Sequence, residues 1–228
     1  MAWRVPKIWE NEDAWILGGG PSIPHQFGVP QDIIDKVKEG KLPPSSYSPY
    51  LHPIHDRNVI GVNAAYNLGS WIKVLFFGDK GFFLKHKRDI RKFPNLKITC
   101  ANTGKNWEYQ KTQVKFLSRE SRRHGICDSP EKICWNFNSG AAAINVAVHF
   151  GVTRIFLLGF DMKESDKTGS HWHNVYNNKS IKDVTFNRHL KSFPYIEKDT
   201  KKRGIEIINL NPDSAIKCFK KANLDEVI

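Results

Sequence analysis

Short apolar runs alternate with polar and glycine-rich segments along the chain. Runs with the length of a buried strand occupy residues 14–18, 59–62, 74–77, 96–99, 155–158 and 205–210. Most positions within these runs are apolar, and segments typical of helices lie between several of them. Strands of this kind, alternating with helices, are typical of a parallel sheet covered on both faces. The pattern therefore predicts an α/β fold: a mostly parallel sheet with helices on both faces.

The clearest predicted helix covers residues 141–150, which are almost all apolar and precede Gly151. Residues 29–39 predict a second helix, because their apolar positions share one face and Gly40 follows. A short helical connection is expected at 64–71, and a last helix is expected after residue 214.

Two segments interrupt this alternation. Residues 40–57 are rich in proline and serine and predict a long surface loop. Residues 103–137 are polar and basic, without clear periodicity. We expect residues 1–228 to form a single α/β domain with insertions near 29–57 and 103–137.

Composition narrows the class of protein. The chain is 40% hydrophobic and 25% charged, as is ordinary for a globular protein. No run approaches the roughly 20 apolar residues that span a bilayer, and the N-terminus lacks the apolar core of a signal peptide. Its four cysteines form no CxxC pair, which favours free thiols over a zinc site. We expect a soluble, cytoplasmic protein with no membrane partner.

The formal net charge of +12 is the unusual bulk property. A strongly basic surface attracts polyanions, including nucleic acid and nucleotides. The alternative interpretation is that the charge serves solubility alone.

Polar and glycine residues follow the predicted strands. In an open parallel sheet the ligand lies beyond the carboxyl ends of the strands, so these residues converge on one edge. The set comprises Gly18, Gly19, Gly20, Ser22, Asn63, Asp79, Asn102, Gly159, Phe160, Asp161, Asn211 and Ser214.

The Gly18-Gly19-Gly20-Pro21-Ser22 turn lets the backbone approach a ligand, and its N–H groups suit a phosphate. It matches neither GxGxxG nor a P-loop, so a purely structural turn is an equal alternative. Asn138-Ser139-Gly140 begins the apolar helix. Its residues either cap that helix or present N–H groups to an anion.

Asp161 and two histidines complete the candidate chemistry. Asp161 either accepts hydrogen bonds from a ribose or base, or serves as a helix cap or surface charge. His171 and His173 lie in a polar loop, where histidine suits general acid or base chemistry. A metal site and an ordinary solvated loop are the alternatives for this pair.

The order of the motifs resembles that of the bacterial sialyltransferase fold, which is Rossmann-like. The matching series runs from ILGGGPSI and VIGVNAAY to NSGAAAINVAVHFGVTRIFLLGFDM, a histidine loop and INLNPDSAIKCF. It covers most of the chain except about residues 29–57 and 103–137. The same core occurs in hydroxymethylpterin pyrophosphokinase-like proteins and in uncharacterised phage proteins. If the chain is encoded by a phage, the expected location is the cytoplasm of the host.

The resemblance implies a donor site. It places the three glycines of the turn against the phosphate and sugar of the donor. It places Asn63 in contact with the nucleotide, and Ser139 and Gly140 at the helix start facing the donor. Gly159, Phe160 and Asp161 correspond to the segment that holds ribose and base. Gly19 replaces an asparagine of the family. Two family tyrosines that bind the departing phosphate are absent here, since Met162 and Lys163 follow Asp161.

The first hypothesis is a glycosyltransferase that uses a nucleotide-sugar donor and requires no cofactor. The resemblance implies a histidine base, His173 in preference to His171, and Lys80 or Lys163 suits the leaving phosphate. The positive net charge suggests DNA that carries a hydroxylated base as the acceptor. A base flipped out of that DNA could stack on Trp107 or Trp135. The alternatives are an ATP-dependent diphosphokinase, with Mg²⁺ held by Asp79 and Asp161, and a non-catalytic nucleotide or nucleic-acid binder.

Overall fold

The computed structural model describes residues 3–102, 106–163, 169–176 and 183–228. Its elements follow the predicted alternation through the first half of the chain. They are β1 (Asp13–Leu17), α1 (Ser22–Gln26), α2 (Gln31–Lys38), β2 (Val59–Val62), β3 (Val74–Phe77), α3 (Lys80–Lys92), β4 (Leu96–Thr99), α4 (Asn106–Lys111) and β5 (Val114–Phe116). Two 3₁₀ helices, Pro44–Ile54 and Asn63–Leu68, lie on either side of β2.

The second half completes the sheet. Its elements are β6 (Ser118–Arg119), β7 (Lys132–Ile133), α5 (Ser139–His149), β8 (Arg154–Leu158), α6 (Asp183–Leu190), α7 (Phe193–Lys201), β9 (Glu206–Asn209) and β10 (Lys220–Lys221), then a 3₁₀ turn at Leu224–Glu226. The described helices include none long and apolar enough to cross a membrane.

Eight strands form one sheet in the order β10-β9-β8-β1-β2-β3-β4-β5, and neighbouring strands pair in parallel. Strands β2 to β5 extend from one side of β1, whereas β8 to β10 extend from its other side. The chain therefore reverses its direction of growth between β1 and β8. Such a switch point is where open α/β sheets place their ligands.

Two apolar layers cover the sheet. Alternate residues of β1 point to opposite faces, with Ile16 in one layer and Trp15 in the other. The first layer includes the buried α5, which packs against β1, β2 and β3. The second layer includes residues of α1, α2 and α3. The predicted fold class is confirmed.

Two local predictions are wrong. Residues 40–57 are not a surface loop throughout, because Tyr47, Leu51 and Ile54 are fully buried on one side of a 3₁₀ helix. Their spacing of four and three residues is a helical signal that Pro49 and Pro53 conceal. The region after residue 214 forms β10 and a short turn, since this end of the chain pairs with the edge strand β9.

Residues 103–137 contribute to the main sheet as well as to its surroundings. Strand β5 extends the sheet beyond β4, with Ile98 opposite Lys115. Strands β6 and β7 form a separate small ladder. Arg119 connects the two regions, since its guanidinium donates to the carbonyls of Gly78 (2.8 Å) and Cys100 (3.0 Å) at the ends of β3 and β4.

Candidate donor site

A cavity of about 290 Å³ opens at the carboxyl edge of the sheet, at the switch point. This volume is close to the lower end of the range for small-molecule sites, about 300–1,000 Å³. Most of the predicted site residues line it: Gly18, Gly19, Gly20, Asn63, Asp79, Asn138, Ser139, Gly140, Gly159, Phe160, Asp161, His171 and His173. The structure thus brings the three glycines, the α5 start, the β8 end and the histidine loop together.

Three predicted residues lie outside the lining and contact residues of its wall instead. The Ser22 hydroxyl donates to Asp161 at 3.0 Å, and the Asn211 amide donates to the other carboxylate oxygen at 3.0 Å. The Ser214 hydroxyl donates to the Phe160 carbonyl at 2.6 Å. These side chains therefore position the segment after β8.

Asp161 is 7% exposed, and burial raises the pKa of its carboxyl group. The Ser22 hydrogen bond opposes that shift because it stabilises the ionised form. Two donors hold the carboxylate in one orientation at the cavity wall.

The glycine turn packs tightly against the end of β8. A Cβ atom on Gly18 would lie 2.7 Å from the Gly159 carbonyl oxygen, and a Cβ on Gly20 would overlap the Asp161 carboxylate. Gly159 itself has φ = +68°, in the left-handed region that favours glycine. Side chains at these positions would separate the two loops that form the floor of the cavity.

Two of the predicted site side chains also cap helices. The Asn138 side-chain oxygen accepts from the Ala141 N–H at 3.0 Å, and Asp79 accepts from the Phe82 N–H at 2.9 Å. Each helix N-terminus therefore meets the cavity with one N–H already satisfied. The capping alternative for Asn138 is confirmed, and the residue still lines the cavity.

The histidine loop forms one wall. The rings of His171 and His173 stack with centroids 5.1 Å apart at 6°, and Tyr176 meets both edge-on at 5.0 and 5.1 Å. Burial lowers the pKa of both imidazoles, that of His173 well below its usual value. Both rings are therefore neutral at pH 7.

The two histidines have opposite tautomers. His171 Nδ1 lies 3.3 Å from the Gly19 carbonyl oxygen, which can only accept, so Nδ1 carries the proton and the lone pair is on Nε2. His173 Nδ1 accepts from the Val175 N–H at 3.3 Å, so its proton lies on Nε2. His171 can accept a proton at Nε2, whereas His173 can donate one there.

Backbone strain is concentrated at this site. Asn63 (φ = +51°), Phe137 (+53°) and Met162 (+53°) line the cavity in the left-handed conformation, and Asn136 (+57°) precedes Phe137. Such conformations cost on the order of 1–3 kcal/mol each in non-glycine residues and cluster at functional sites. Phe137 and Met162 are bulky, which makes their conformation more costly still.

Sequence reasoning missed part of the lining. The additional residues include Phe137, Ser170, Tyr176, Phe186, Arg188 and His189. Arg188 and His189 lie in α6, whose weak apolar pattern gave no sign of a site. Burial lowers the pKa of His189 to about 4. The one feature of the sequence that could have indicated Arg188 and His189 is their composition, since they form a basic pair within a polar segment.

The residues suggested for the leaving phosphate and for base stacking, together with Asn102 at a strand end, differ in their position relative to the cavity. Lys163 and Trp135 line the cavity, and the Arg119 guanidinium lies 4.2 Å above the Trp135 ring. Lys80 and Asn102 lie outside the lining. The Trp107 side chain falls outside the described residues.

No family model matches the chain, and no curated protein matches it. Among solved structures, it is similar to the sialyltransferase CstII from Campylobacter jejuni in complex with the substrate analogue cytidine-5'-monophosphate, at 19% identity and a TM-score of 0.46. That match covers 93% of this chain and 85% of CstII. CST-II in complex with a trisaccharide acceptor and CMP matches at 17% identity and a TM-score of 0.47, covering 92% and 85%.

Proposed function

We propose that this chain is a glycosyltransferase that moves a sugar from a nucleotide-sugar donor to an acceptor hydroxyl. One observation carries the proposal. A cavity at the switch point combines a glycine turn, a helix N-terminus, a buried carboxylate and a histidine whose Nε2 carries a lone pair. Together these groups suit phosphate, ribose and proton transfer.

The donor phosphates are expected between the glycine turn and the start of α5. Lys163 and Arg188 add positive charge to the cavity lining. Charge that develops on the departing phosphate oxygen would be stabilised by these cations and by backbone N–H groups. Asp161, held by Ser22 and Asn211, is expected to accept hydrogen bonds from the ribose hydroxyls or the base.

His171 is the better placed base of the loop pair. Its Nε2 accepts the acceptor's hydroxyl proton while the acceptor oxygen forms a bond to the anomeric carbon. The bond between that carbon and the donor phosphate oxygen breaks, and its electron pair remains on the phosphate. His173, with its proton on Nε2, is expected to donate a hydrogen bond to the donor or acceptor. The resemblance implies His173 as the base, whereas the opposite tautomers of the two rings support our proposal of His171.

We further propose that residues 1–228 act as a single donor-binding domain. The segments near 29–57 and 103–137 would then be insertions. A cytoplasmic location, in the host if the gene is a phage gene, fits a nucleotide-activated donor.

Thermal-shift measurements with a panel of nucleotides test the proposal. Stabilisation by one or more sugar nucleotides without added metal supports it. Stabilisation by ATP only with Mg²⁺ would instead indicate the diphosphokinase. For that enzyme Asp79 and Asp161, each already hydrogen-bonded within the protein, would have to hold the metal. Binding of nucleotide without any turnover would indicate a binder that lacks the chemistry.

A further inference from the structure

Three aromatic rings extend from the cavity wall to the protein surface. Phe137 lines the cavity, the His124 ring lies 5.4 Å from it, and the Tyr195 ring stacks on His124 at 5.3 Å and 21°. Tyr195 is 55% exposed. We call Phe137, His124 and Tyr195 the aromatic row.

Hydrogen bonds hold the row in place. The Ser192 hydroxyl donates its proton to the Asn136 carbonyl at 2.8 Å. His124 Nδ1 lies 2.7 Å from the Ser192 hydroxyl oxygen, so Nδ1 must carry a proton and donate it to that oxygen. Asn136 is fully buried, and its side chain bonds both the N–H and the carbonyl of Gly125. The loops that carry Phe137 and His124 are thereby fixed to each other and to the start of α7.

The surroundings of the row are positively charged. The Arg123 guanidinium lies 5.8 Å above the Phe137 ring. On α7, exposed Lys198 follows Tyr195 by three residues, and exposed Lys202 follows it by seven, so both lie on the same side of the helix.

The acidic residues of α7 do not offset this charge, because both are already paired. Glu197 pairs with Lys201 at 2.7 Å, and Asp199 pairs with Arg122. In the described part of the chain, Lys198, Lys202 and Arg123 have no ion-pair partner. The surface beside the row therefore carries a net positive charge.

We propose that the aromatic row is the acceptor-side platform for single-stranded nucleic acid, which stacks a base on the exposed Tyr195 ring while Arg123, Lys198 and Lys202 contact its phosphates. An exposed aromatic ring on a positively charged surface is the combination that binds single strands without sequence preference. This inference rests on the proposed function for its catalytic meaning: the acceptor hydroxyl would belong to a nucleotide delivered past Phe137. The flanking cations would add no electrostatic attraction to the binding of an uncharged oligosaccharide.

Fluorescence anisotropy with a 5'-fluorescein-labelled 20-mer of deoxythymidine tests the platform. Tyr195→Ala is expected to raise the Kd about 10-fold or more, because one stacked base is lost. The double variant K198Q/K202Q is expected to reduce the slope of log K against log[salt] by about 1.4, since each phosphate contact contributes about 0.7 for single strands.

Two matched controls keep the result specific. Leu84→Ala removes another exposed side chain, on α3, and R91Q/K92Q removes the same charge at the end of α3 farthest from the cavity. Both variants are expected to bind the deoxythymidine 20-mer with the same Kd and the same salt dependence as the parent chain. The proposal is overturned if Tyr195→Ala binds unchanged, if R91Q/K92Q lowers the slope as much as K198Q/K202Q, or if Tyr195→Ala instead weakens binding of a neutral oligosaccharide such as cellotetraose.

A separate readout distinguishes this proposal from the donor proposal. Thermal stabilisation by a sugar nucleotide is expected to be the same in Tyr195→Ala and in the parent chain. Loss of oligomer binding with retained donor binding supports the platform and the donor site independently. Oligomer binding that depends on Tyr195, in a chain that no sugar nucleotide stabilises, would retain the platform and reject the glycosyltransferase.

Discussion

The Nδ1 atom of His171 lies 3.3 Å from the carbonyl oxygen of Gly19, which joins the histidine loop to the glycine turn. This hydrogen bond fixes the His171 tautomer and turns Nε2 into the proton acceptor. A Cβ at position 19 would lie 2.9 Å from Nδ1, so a side chain there would displace the imidazole.

Replacing the proposed base separates catalysis from binding. His171→Ala is expected to lower the transfer rate by about 10² to 10⁴, because a positioned base is lost, and to leave the donor Kd within about threefold. The measurement is single-turnover transfer at saturating donor, with donor affinity taken from calorimetry.

His173→Asn is the matched variant. Its side-chain oxygen can still accept from the Val175 N–H, so the loop is expected to keep its shape and the rate to fall less than in His171→Ala. A larger loss of rate in His173→Asn would return the role of base to His173. Full activity in both variants would exclude the loop histidines and leave His189 as the remaining histidine of the cavity lining.

Gly19→Ala and Gly20→Ala are expected to act differently. The Gly19 methyl group meets only the tip of a side chain, so it should shift His171 and reduce the rate with little change in stability. The Gly20 methyl group overlaps the Asp161 carboxylate and lies 2.6 Å from the Gly159 carbonyl oxygen. Overpacking of this kind typically costs about 1–3 kcal/mol, which urea unfolding can measure. Equal loss of stability in the two variants would contradict the described packing.

Stability is expected to fall as the solution becomes mildly acidic. Burial lowers the pKa of His173, so the unfolded chain binds a proton that the folded chain excludes. This contribution is therefore present above about pH 6.5, the pKa of an unperturbed histidine, and is lost as the pH falls below it. His55, His86, His149, His171 and His189 have lowered pKa values as well and act in the same direction.

His173→Asn is expected to make the pH dependence shallower. The variant takes up one proton fewer than the parent chain when it unfolds. The slope of its unfolding free energy against pH is therefore smaller by up to about 1.4 kcal/mol per pH unit between pH 6 and 5. Urea unfolding at half-unit pH intervals measures that slope. An unchanged slope would mean that His173 titrates normally in the folded protein.

The sequence predicted the sheet and much of the site because both follow from strand ends. Parallel strands with buried faces are nearly continuous apolar runs, and their carboxyl ends must meet at one edge. This rule predicts that Gly18, Asn63, Asp79 and Asp161 lie at one edge of the sheet, and all four line the cavity. It could not separate Asp161, which faces the cavity, from Asn211, which supports it from outside the lining.

Other features depend on contacts between distant segments. Phe137 lines the cavity with its own backbone and that of Asn136 in left-handed conformations, which no local pattern of these residues indicates. Tyr47 and Leu51 are buried although prolines surround them. The opposite tautomers of His171 and His173 depend on partners at Gly19 and Val175, and one of these is 152 residues away.

The most direct test of the donor site compares the parent chain with Asp161→Ala in thermal shifts against a panel of sugar nucleotides without metal. A nucleotide at 100 times its Kd contributes about 2.7 kcal/mol, which corresponds to a rise in Tm of about 5–10 °C for a chain of this size. We predict that rise for at least one sugar nucleotide, and a much smaller one in Asp161→Ala at the same concentration. A panel that leaves the parent Tm unchanged, or that stabilises both chains equally, would contradict the account.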